Sequence, residues 1–454
     1  MKTSKFAARP YEVAAVSALQ PLIERERRVI AVGPTGCGKT VIASMLIDAW
    51  ADKRVLFVVH RYELADQAYK SLRAIGVDVG MVMAQDERIH GVERVHPGRR
   101  VQVASVQTAA RRDICAKFDL IVFDEAHRAL AGSYQRVVHT WPDALVLGLT
   151  ATPERTDGKG LGDFFRAMLV IATSSELQRD GYLADPRWFG ARPDVVDKLA
   201  ERLKGARVTN GDYAPSDLAR AVDNTFLVGR VVDESLRIAP GVRKAVFAGS
   251  VAHSRKLASE FVRRGVLAVH LDGDTSPAER EAVLIGLRIG DVEVVCNYDV
   301  LSEGWDLPAL GAVVLARPFR SRTKYLQVVG RGMRARRGPR PIVIDHGNNA
   351  PRFGLWPGDD VDWSLERTSP RTGVAPWVMC ESCLAKIPAS SMTCPECGAE
   401  CRETAARLER EEEAAQLEEA TRAQYLALRS RVERVAVDKG APVGWVDKVM
   451  REVA

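Results

Sequence analysis

The sequence contains no long apolar run. No stretch approaches the about 18 apolar residues that a membrane-spanning helix requires, and residues 1–5 lead into no apolar signal core. We therefore expect a cytoplasmic protein with no membrane segment. The mean hydropathy of −0.12 and the 27% of charged residues are typical of globular chains. They exclude wholesale disorder and collagen-like repetition.

Cysteine is scarce over most of the chain. Of the eight cysteines, five lie close together, at Cys380, Cys383, Cys394, Cys397 and Cys401. This distribution excludes a small disulfide scaffold and is typical of a local metal site in a reducing compartment.

Short apolar runs rich in Val and Ile alternate with amphipathic segments in two parts of the chain. Such runs indicate parallel strands buried by helices on both faces. They lie at 29–32, 55–59, 101–104, 120–123 and 145–149, and then at 245–247, 268–271, 292–296, 312–316 and 341–345. The sequence therefore predicts an α/β fold with two tandem domains, each built on a parallel sheet.

The expected domain order follows these runs and the changes in composition. It comprises a first domain (1–172), a connector leading into the second lobe (173–240), a second domain (241–350), a linker (351–376), a cysteine-containing ribbon (377–401) and a C-terminal helical segment (402–454). Helices are expected in the connector at 195–203 and 215–222. Apolar residues spaced by three or four predict a long amphipathic helix in the last segment.

A phosphate-binding loop is predicted directly after the first strand. Residues 33–40 read Gly-Pro-Thr-Gly-Cys-Gly-Lys-Thr, which matches G-x-x-x-x-G-K-[ST], and a helical run follows. In this pattern Lys39 reaches the β- and γ-phosphates of a nucleotide and the Thr40 hydroxyl binds Mg²⁺. The residues expected to surround the phosphates are Gly33, Thr35, Gly36, Gly38, Lys39 and Thr40.

Two acids follow the apolar run at 120–123. Asp124, at the end of that strand, can hold Mg²⁺ beside the phosphate loop. Glu125 can orient and deprotonate a water molecule. We therefore predict Asp124 as the metal residue and Glu125 as the general base.

The ordered motifs together resemble the DEAD/DEAH-box helicases of superfamily 2. Residues 124–127 (Asp-Glu-Ala-His) resemble the second motif of that family, 150–152 (Thr-Ala-Thr) the third, 299–306 the fifth, and 327–334 the sixth, Q-x-x-G-R-x-x-R. The resemblance implies two RecA-like lobes with ATP and Mg²⁺ between them, and hence an ATP hydrolase. It assigns coupling roles to His127, Thr150, Thr152 and Gln327.

The sixth motif also supplies positive charge for phosphoryl transfer. Negative charge spreads over the γ-phosphate in the transition state, so an arginine arriving from another domain makes hydrolysis depend on closure. Arg331 and Arg334, three apart on a predicted helix, are the candidate arginine fingers.

Further residues are assigned by the resemblance. Arg9 and Tyr11 match the adenine side of these enzymes, where a glutamine commonly follows and this sequence has Glu12. Gly304 and Asp306 are expected to face the nucleotide from the second lobe. Six residues after predicted strands match positions that usually contact the nucleic-acid backbone, although each could equally be a helix cap or a surface group. They are His60, Arg61, Ser105, Gln107, Thr108 and Ser250.

A closer similarity is to the bacterial and phage helicases of the RadD type. It is based on residues 9–11, 149–155 and 302–306, and on a cysteine module after the second lobe. Cys380-x₂-Cys383 and Cys394-x₂-Cys397 supply four thiolates that suit tetrahedral Zn²⁺. Cys401 can replace Cys397, so two ligand sets remain open. The module and the C-terminal helix are candidate surfaces for a protein partner.

These patterns favour an ATP-dependent helicase or translocase acting without sequence preference on single-stranded or branched DNA, in repair, recombination or phage replication. RNA is an alternative substrate, because no motif in the sequence indicates whether the protein recognises the 2′-hydroxyl that distinguishes RNA from DNA. An alternative of another class is a nucleic-acid-binding adaptor that uses its ATPase as a switch. The lack of a nuclease-like acid cluster argues against a restriction-type motor subunit with built-in cleavage.

Positive charge is concentrated in one segment. The chain carries a net charge of +6, whereas residues 317–340 contain nine Lys and Arg and no acid, which leaves −3 for the rest. The arginines flanking the sixth motif are therefore expected to contact nucleic acid or solvent.

Overall fold

A computed structural model describes residues 8–60, 62–82, 98–111, 117–154, 160–209, 211–301, 310–333, 338–355, 363–366, 377–389 and 391–401. The chain divides into two units, Met1–Val374 and Ala375–Ala454. Among the described residues, no helix is long and apolar enough to cross a membrane.

The first sheet of the larger unit is parallel throughout its described part. Its strands are β1 (Arg28–Val32), β2 (Val55–Val59), β3 (Val79–Val82), β4 (Val101–Ser105), β5 (Leu120–Asp124), β6 (Leu145–Thr150) and β7 (Ala167–Val170). They lie in the order β3-β4-β2-β5-β6-β1-β7. The central strands are buried on both faces, as their runs of Val, Leu and Ile predict.

Helices cover both faces of this sheet and complete the first lobe. Those on one face are α1 (Pro10–Glu26), α2 (Lys39–Ala49) and α3 (Tyr62–Ile75), and those on the other are α4 (Val106–Arg111) and α5 (Gly132–Thr140). The five predicted strands are all present. The apolar pattern misses β3, which contains a glycine, and β7, which is partly exposed at the edge of the sheet.

The segment at 173–240 is more than a connector. Its elements are α6 (Ser174–Arg179), β8 (Arg187–Gly190), α7 (Pro193–Arg202), β9 (Val208–Thr209), β10 (Asp212–Tyr213), α8 (Pro215–Val222) and α9 (Thr225–Ile238). The two predicted helices correspond to α7 and α8. β8 joins the second sheet as its edge strand, and β9 and β10 form a short antiparallel hairpin.

The second sheet is also parallel in the part of the chain described, and with its helices it forms the second lobe. Beside β8 it contains β11 (Lys244–Phe247), β12 (Ala268–Leu271), β13 (Val294–Asn297), β14 (Ala312–Leu315) and β15 (Ile342–Asp345), in the order β12-β13-β11-β14-β15-β8. Its helices are α10 (Val251–Arg263), α11 (Pro277–Ile289), α12 (Arg322–Gly330) and α13 (Ala350–Phe353). All five strands predicted for this half are present.

A buried ion pair ties the β9–β10 hairpin to the second lobe. Asp212 Oδ2 lies 2.7 Å from Arg317 Nη2, and both side chains are about 5% exposed. Asp212 also accepts the backbone N–H of Arg320 and lies 3.3 Å from Lys324 Nζ. Burial acts to raise the pKa of Asp212, but the Arg317 charge and the Arg320 N–H outweigh it and lower that pKa.

Residues 363–366 return to the first lobe. The Leu365 carbonyl accepts the Gly162 N–H at 2.7 Å, and Trp363 and Leu365 pack against the core of the first lobe. A side chain at Gly160 would meet the Leu365 oxygen at 2.0 Å, so only glycine fits there. The chain therefore contacts the first lobe again after it has completed the second sheet.

The smaller unit contains an antiparallel pair of strands, β16 (Trp377–Met379) and β17 (Lys386–Pro388), beside the clustered cysteines. The amphipathic helix expected within 402–454 lies outside the described residues. The domain boundaries given above remain a prediction.

We expect Asp212→Ala to lower the free energy of unfolding by about 3 kcal/mol, because it leaves the buried Arg317 guanidinium without its carboxylate. Chemical denaturation followed by circular dichroism measures this loss. The exposed Asp197, in α7 of the same segment, provides the matched control. An Asp197→Ala change of the same size would contradict the role of the buried pair.

Candidate nucleotide site between two lobes

The predicted phosphate loop joins β1 to α2. Gly36 and Gly38 have φ angles of 92° and 82°, which side chains rarely adopt, so glycine is required at both positions. α2 begins at Lys39. The Lys39 ammonium donates to the carbonyls of Gly33 and Pro34 at 2.8 and 3.2 Å. The loop therefore holds a cation at its centre and a helix N-terminus at its end.

Strand order brings the other predicted residues to this loop. β1 pairs with β6, and β6 pairs with β5, so their carboxyl ends lie side by side. The Gly33 N–H donates to the carbonyl of Thr150 at the end of β6. Asp124, at the end of β5, is 7% exposed and accepts the N–H of Glu125 at 3.0 Å. Three motifs that are distant in sequence thus lie together at the carboxyl ends of adjacent strands.

The Glu125 carboxylate lies close to residues from both lobes. The Gln327 side-chain amide of α12 donates to Glu125 Oε2 at 3.0 Å. His127 Nδ1 lies 3.3 Å from the same oxygen. Glu125 itself has a φ angle of 53°, a left-handed conformation that is uncommon outside glycine. The structure therefore brings together the predicted base and two predicted coupling residues.

One face of α12 contacts the first lobe at three points. Thr152 Oγ1 donates to Thr323 Oγ1 at 3.0 Å, and Gln327 contacts Glu125. A β-carbon at Gly330 would lie 2.5 Å from the β-carbon of Thr35 in the phosphate loop. Spacings of four and three place Thr323, Gln327 and Gly330 on the same side of a helix.

α12 ends just before Arg331, the first of the two predicted arginine fingers. The N–H groups of Arg331 and Gly332 bond to carbonyls only three residues back, which tightens the chain into a turn. Arg331 directly follows Gly330 and is 9% exposed. Arg334 lies outside the described residues, as do Arg61, Gly304 and Asp306.

The predicted adenine-side residues lie against the phosphate loop. The Tyr11 hydroxyl donates to the Cys37 carbonyl at 2.8 Å and accepts from Arg9 at 2.9 Å. Burial raises the pKa of Tyr11 to about 12, although Arg9 opposes this shift. Glu12 is 2% exposed and accepts the Arg9 N–H at 2.9 Å, so it caps the start of α1.

Two residues of this region escape sequence reasoning. The Tyr182 ring lies 5.2 Å from the Tyr11 ring and 5.0 Å from the Arg9 guanidinium carbon, both measured to its centroid. No sequence pattern marks it, because it comes from the segment between the lobes. Thr323 could have been found from its position four residues before Gln327, on the same helical face.

Residues predicted to contact nucleic acid follow β2, β4 and β11 at the carboxyl edges of the two sheets. Ser105 accepts the N–H of Thr108 at 3.2 Å, and Ser250 accepts that of His253 at 3.0 Å, so both cap helices. Gln107 is exposed, and His60 directly follows β2. A nucleic-acid contact for these residues stays a prediction.

The four predicted metal ligands converge in the smaller unit. The sulfur atoms of Cys380, Cys383, Cys394 and Cys397 all lie within 4.8 Å of one another. The pairs Cys380–Cys397 and Cys383–Cys394 are each 3.7 Å apart. Cys401 Sγ instead lies 3.5 Å from the Ala399 carbonyl. Between the two ligand sets left open, this geometry favours the one with Cys397.

Known protein families match both lobes. The family described as "Type III restriction enzyme, res subunit" matches residues 5–155, and "Helicase conserved C-terminal domain" matches residues 229–336. A 51.5 kDa protein of a Lactococcus phage is 32% identical over 373 residues, which cover 80% of this chain and 76% of the phage protein. The chain belongs to the superfamily 2 helicases. It is an ATP-dependent enzyme of that superfamily.

Other relatives of this helicase differ in length. The DNA 3′-5′ translocase XPB2 of Sulfurisphaera tokodaii is 25% identical over 366 residues, which cover 73% of this chain and 79% of that protein. The chain spans only 49% and 60% of relatives from Saccharomyces cerevisiae and Schizosaccharomyces pombe. The fold is similar to that of a solved Type ISP restriction-modification enzyme, LlaBIII, bound to DNA. The TM-score is 0.56 and the sequence identity is 18%, and the match covers 75% of this chain and 28% of that one.

We expect Gly330→Ala to reduce ATP hydrolysis by about tenfold or more, because the added methyl overlaps Thr35 and drives the lobes apart. Steady-state ATPase assays measure this loss. Gly229→Ala, in α9, is the matched control, since nothing lies within 4 Å of its added carbon. Full activity of the Gly330 variant would contradict close contact between the lobes during turnover.

Proposed function

We propose that this helicase moves along DNA, and separates or remodels its strands, by coupling ATP hydrolysis to opening and closing of its two lobes. The observation that carries this proposal is the contact between Gln327 of the second lobe and Glu125 of the first. Glu125, the candidate base, has Gln327 as a hydrogen-bond partner only when the lobes meet. Hydrolysis would therefore depend on lobe closure.

The proposed roles follow from the chemistry of each group. Lys39 would hold the β- and γ-phosphates of ATP in the phosphate loop, with Arg9 and Tyr11 on the nucleoside side. The hydroxyl of Thr40 and the carboxylate of Asp124 are hard oxygen ligands, and such ligands suit Mg²⁺. When bound, Mg²⁺ neutralises charge on the phosphates.

Glu125 is the proposed base for the attacking water. Its partners Gln327 and His127 would hold the carboxylate in one orientation. Arg331 and Arg334 would neutralise charge on the γ-phosphate as it leaves. Gly304 and Asp306 would complete the nucleotide site from the second lobe.

We propose DNA as the substrate because the names of some similar proteins point to it. One similar protein is named a DNA translocase, one family is that of a restriction enzyme, and the solved neighbour is bound to DNA. His60, Ser105 and Ser250 lie at the carboxyl edges of the two sheets, where a strand could cross both lobes. Contacts there would be to phosphates, so affinity should fall as salt rises.

We expect ATPase activity to rise several-fold with DNA and to fall at least a hundredfold in Lys39→Ala and Glu125→Gln. Lys39→Ala removes the charge on the phosphates, whereas Glu125→Gln removes the base but keeps the shape of the side chain. Lys53→Ala, a change at a lysine beyond α2, serves as the control. Stimulated hydrolysis that persists in both variants would refute the assigned roles.

The same assay separates the alternatives. Stronger stimulation by RNA than by single-stranded or duplex DNA would identify an RNA helicase. Tight DNA binding without strand displacement or translocation would favour an adaptor that uses its ATPase as a switch.

We further propose that Cys380, Cys383, Cys394 and Cys397 hold a structural Zn²⁺. A tetrahedral site with Zn–S bonds of about 2.3 Å has sulfur atoms about 3.8 Å apart. Two sulfur pairs of this cluster are 3.7 Å apart. The four thiolates leave no position open for substrate, so the ion would fold this unit rather than catalyse a reaction.

We expect the purified protein to contain one zinc ion per chain by mass spectrometry of the metal. Cys383→Ser should lower this content to less than half, because one thiolate ligand is lost. Cys401→Ser is the matched control and should retain the ion, since Cys401 does not belong to the group of four converging sulfur atoms. Loss of zinc from the Cys401 variant instead would reverse the assignment.

A further inference from the structure

We propose that Thr323 is a positioning residue for ATP hydrolysis, and that it acts by holding α12 against the first lobe through Thr152. This inference rests on the proposed function, and it adds a residue outside the motifs that identify the superfamily. The observation behind it is the hydrogen bond between the two threonine hydroxyls, at 3.0 Å, which joins residues 171 positions apart.

Both hydroxyl groups are enclosed at the contact. Thr152 is 0% exposed and Thr323 is 2% exposed. A buried hydroxyl needs a partner, because water no longer supplies one. Thr152 and Thr323 satisfy this need for each other only while the lobes are in contact. The bond is therefore specific to this arrangement of the lobes.

The first-lobe end of the bond is fixed by the phosphate loop. Thr150 Oγ1 donates to the Thr152 carbonyl at 2.7 Å and accepts the Thr152 N–H at 3.1 Å. The Thr150 carbonyl in turn accepts the N–H of Gly33. A short chain of hydrogen bonds thus connects the start of the phosphate loop to Thr323.

The second-lobe end of the bond is fixed by the start of α12. Ser321 caps this helix by accepting the N–H of Lys324, so Thr323 lies in a well-defined first turn. Gln327 lies one turn further on, on the same face. Because the helix is rigid over this distance, an anchor at Thr323 sets where the Gln327 amide meets Glu125.

The proposal predicts that loss of the Thr323 hydroxyl slows turnover but leaves ATP binding nearly unchanged. Thr323→Val keeps the shape of the side chain but leaves the Thr152 hydroxyl without its acceptor. We expect kcat with saturating DNA to fall about tenfold, equivalent to about 1.4 kcal/mol, while KM for ATP changes less than about twofold. Thr323 is not among the residues proposed to contact the nucleotide, so ATP binding should change little.

Three further variants test whether the hydroxyl is responsible. Thr323→Ser retains the acceptor and should recover most of kcat. Thr152→Val combined with Thr323→Val should be no slower than the worse single variant, because both remove one interaction. Thr140→Val, at an exposed threonine bonded to the Arg136 carbonyl in α5, should be fully active. Equal loss in Thr323→Ser, or multiplying losses in the double variant, would overturn the proposal.

A second measurement tests the contact without catalysis. Thr152→Cys combined with Thr323→Cys should form a disulfide across the lobes under mild oxidation, and peptide mapping would identify it. Failure to form this bond, with or without ATP and DNA, would overturn the Thr323 contact even in an active enzyme. If the disulfide forms in the double-cysteine variant but the wild-type protein shows no nucleic-acid-stimulated ATPase, the proposed function alone would be refuted.

Discussion

The packing of one face of α12 on the first lobe is the contact on which the site depends. Each lobe supplies an incomplete set of groups: the first holds Lys39, Asp124 and Glu125, and the second holds Gln327 and Arg331. In the part of the chain that the structure describes, α12 brings the two sets together through a hydroxyl pair, an amide–carboxylate bond and a glycine that lies against the phosphate loop. Because two of these contacts are single hydrogen bonds, which water can replace when the lobes separate, they can be made and broken at low cost.

Parallel strand topology supplies the other constraint. Loops that follow β1, β5 and β6 meet because these strands are neighbours in the sheet. The strand ends are rigid and buried, whereas Glu125 and the phosphate-loop glycines hold uncommon backbone angles. Such angles persist because the surrounding sheet determines them, and they direct polar groups into the space between the lobes.

The structure also shows that several basic side chains of the segment at 317–340 form ion pairs within the protein. Arg317 is buried against Asp212, Lys324 lies near the same carboxylate, and Arg340 lies 2.6 Å from Asp185. Part of this charge therefore stabilises the second lobe and its β9–β10 hairpin. The earlier interpretation, in which all flanking arginines serve nucleic acid or solvent, is wrong for Arg317, since burial requires an ion-pair partner.

By itself, the sequence determined the two-lobed α/β class, ten of the strands, the phosphate loop and the four clustered cysteines. Strong apolar periodicity and short, spaced motifs encode these features locally. Only the tertiary structure decided that β8 belongs to the second sheet, that Tyr182 lies against Tyr11, and that Thr323 meets Thr152. These contacts join residues far apart in the chain, and their side chains alone carry no local signal of a partner.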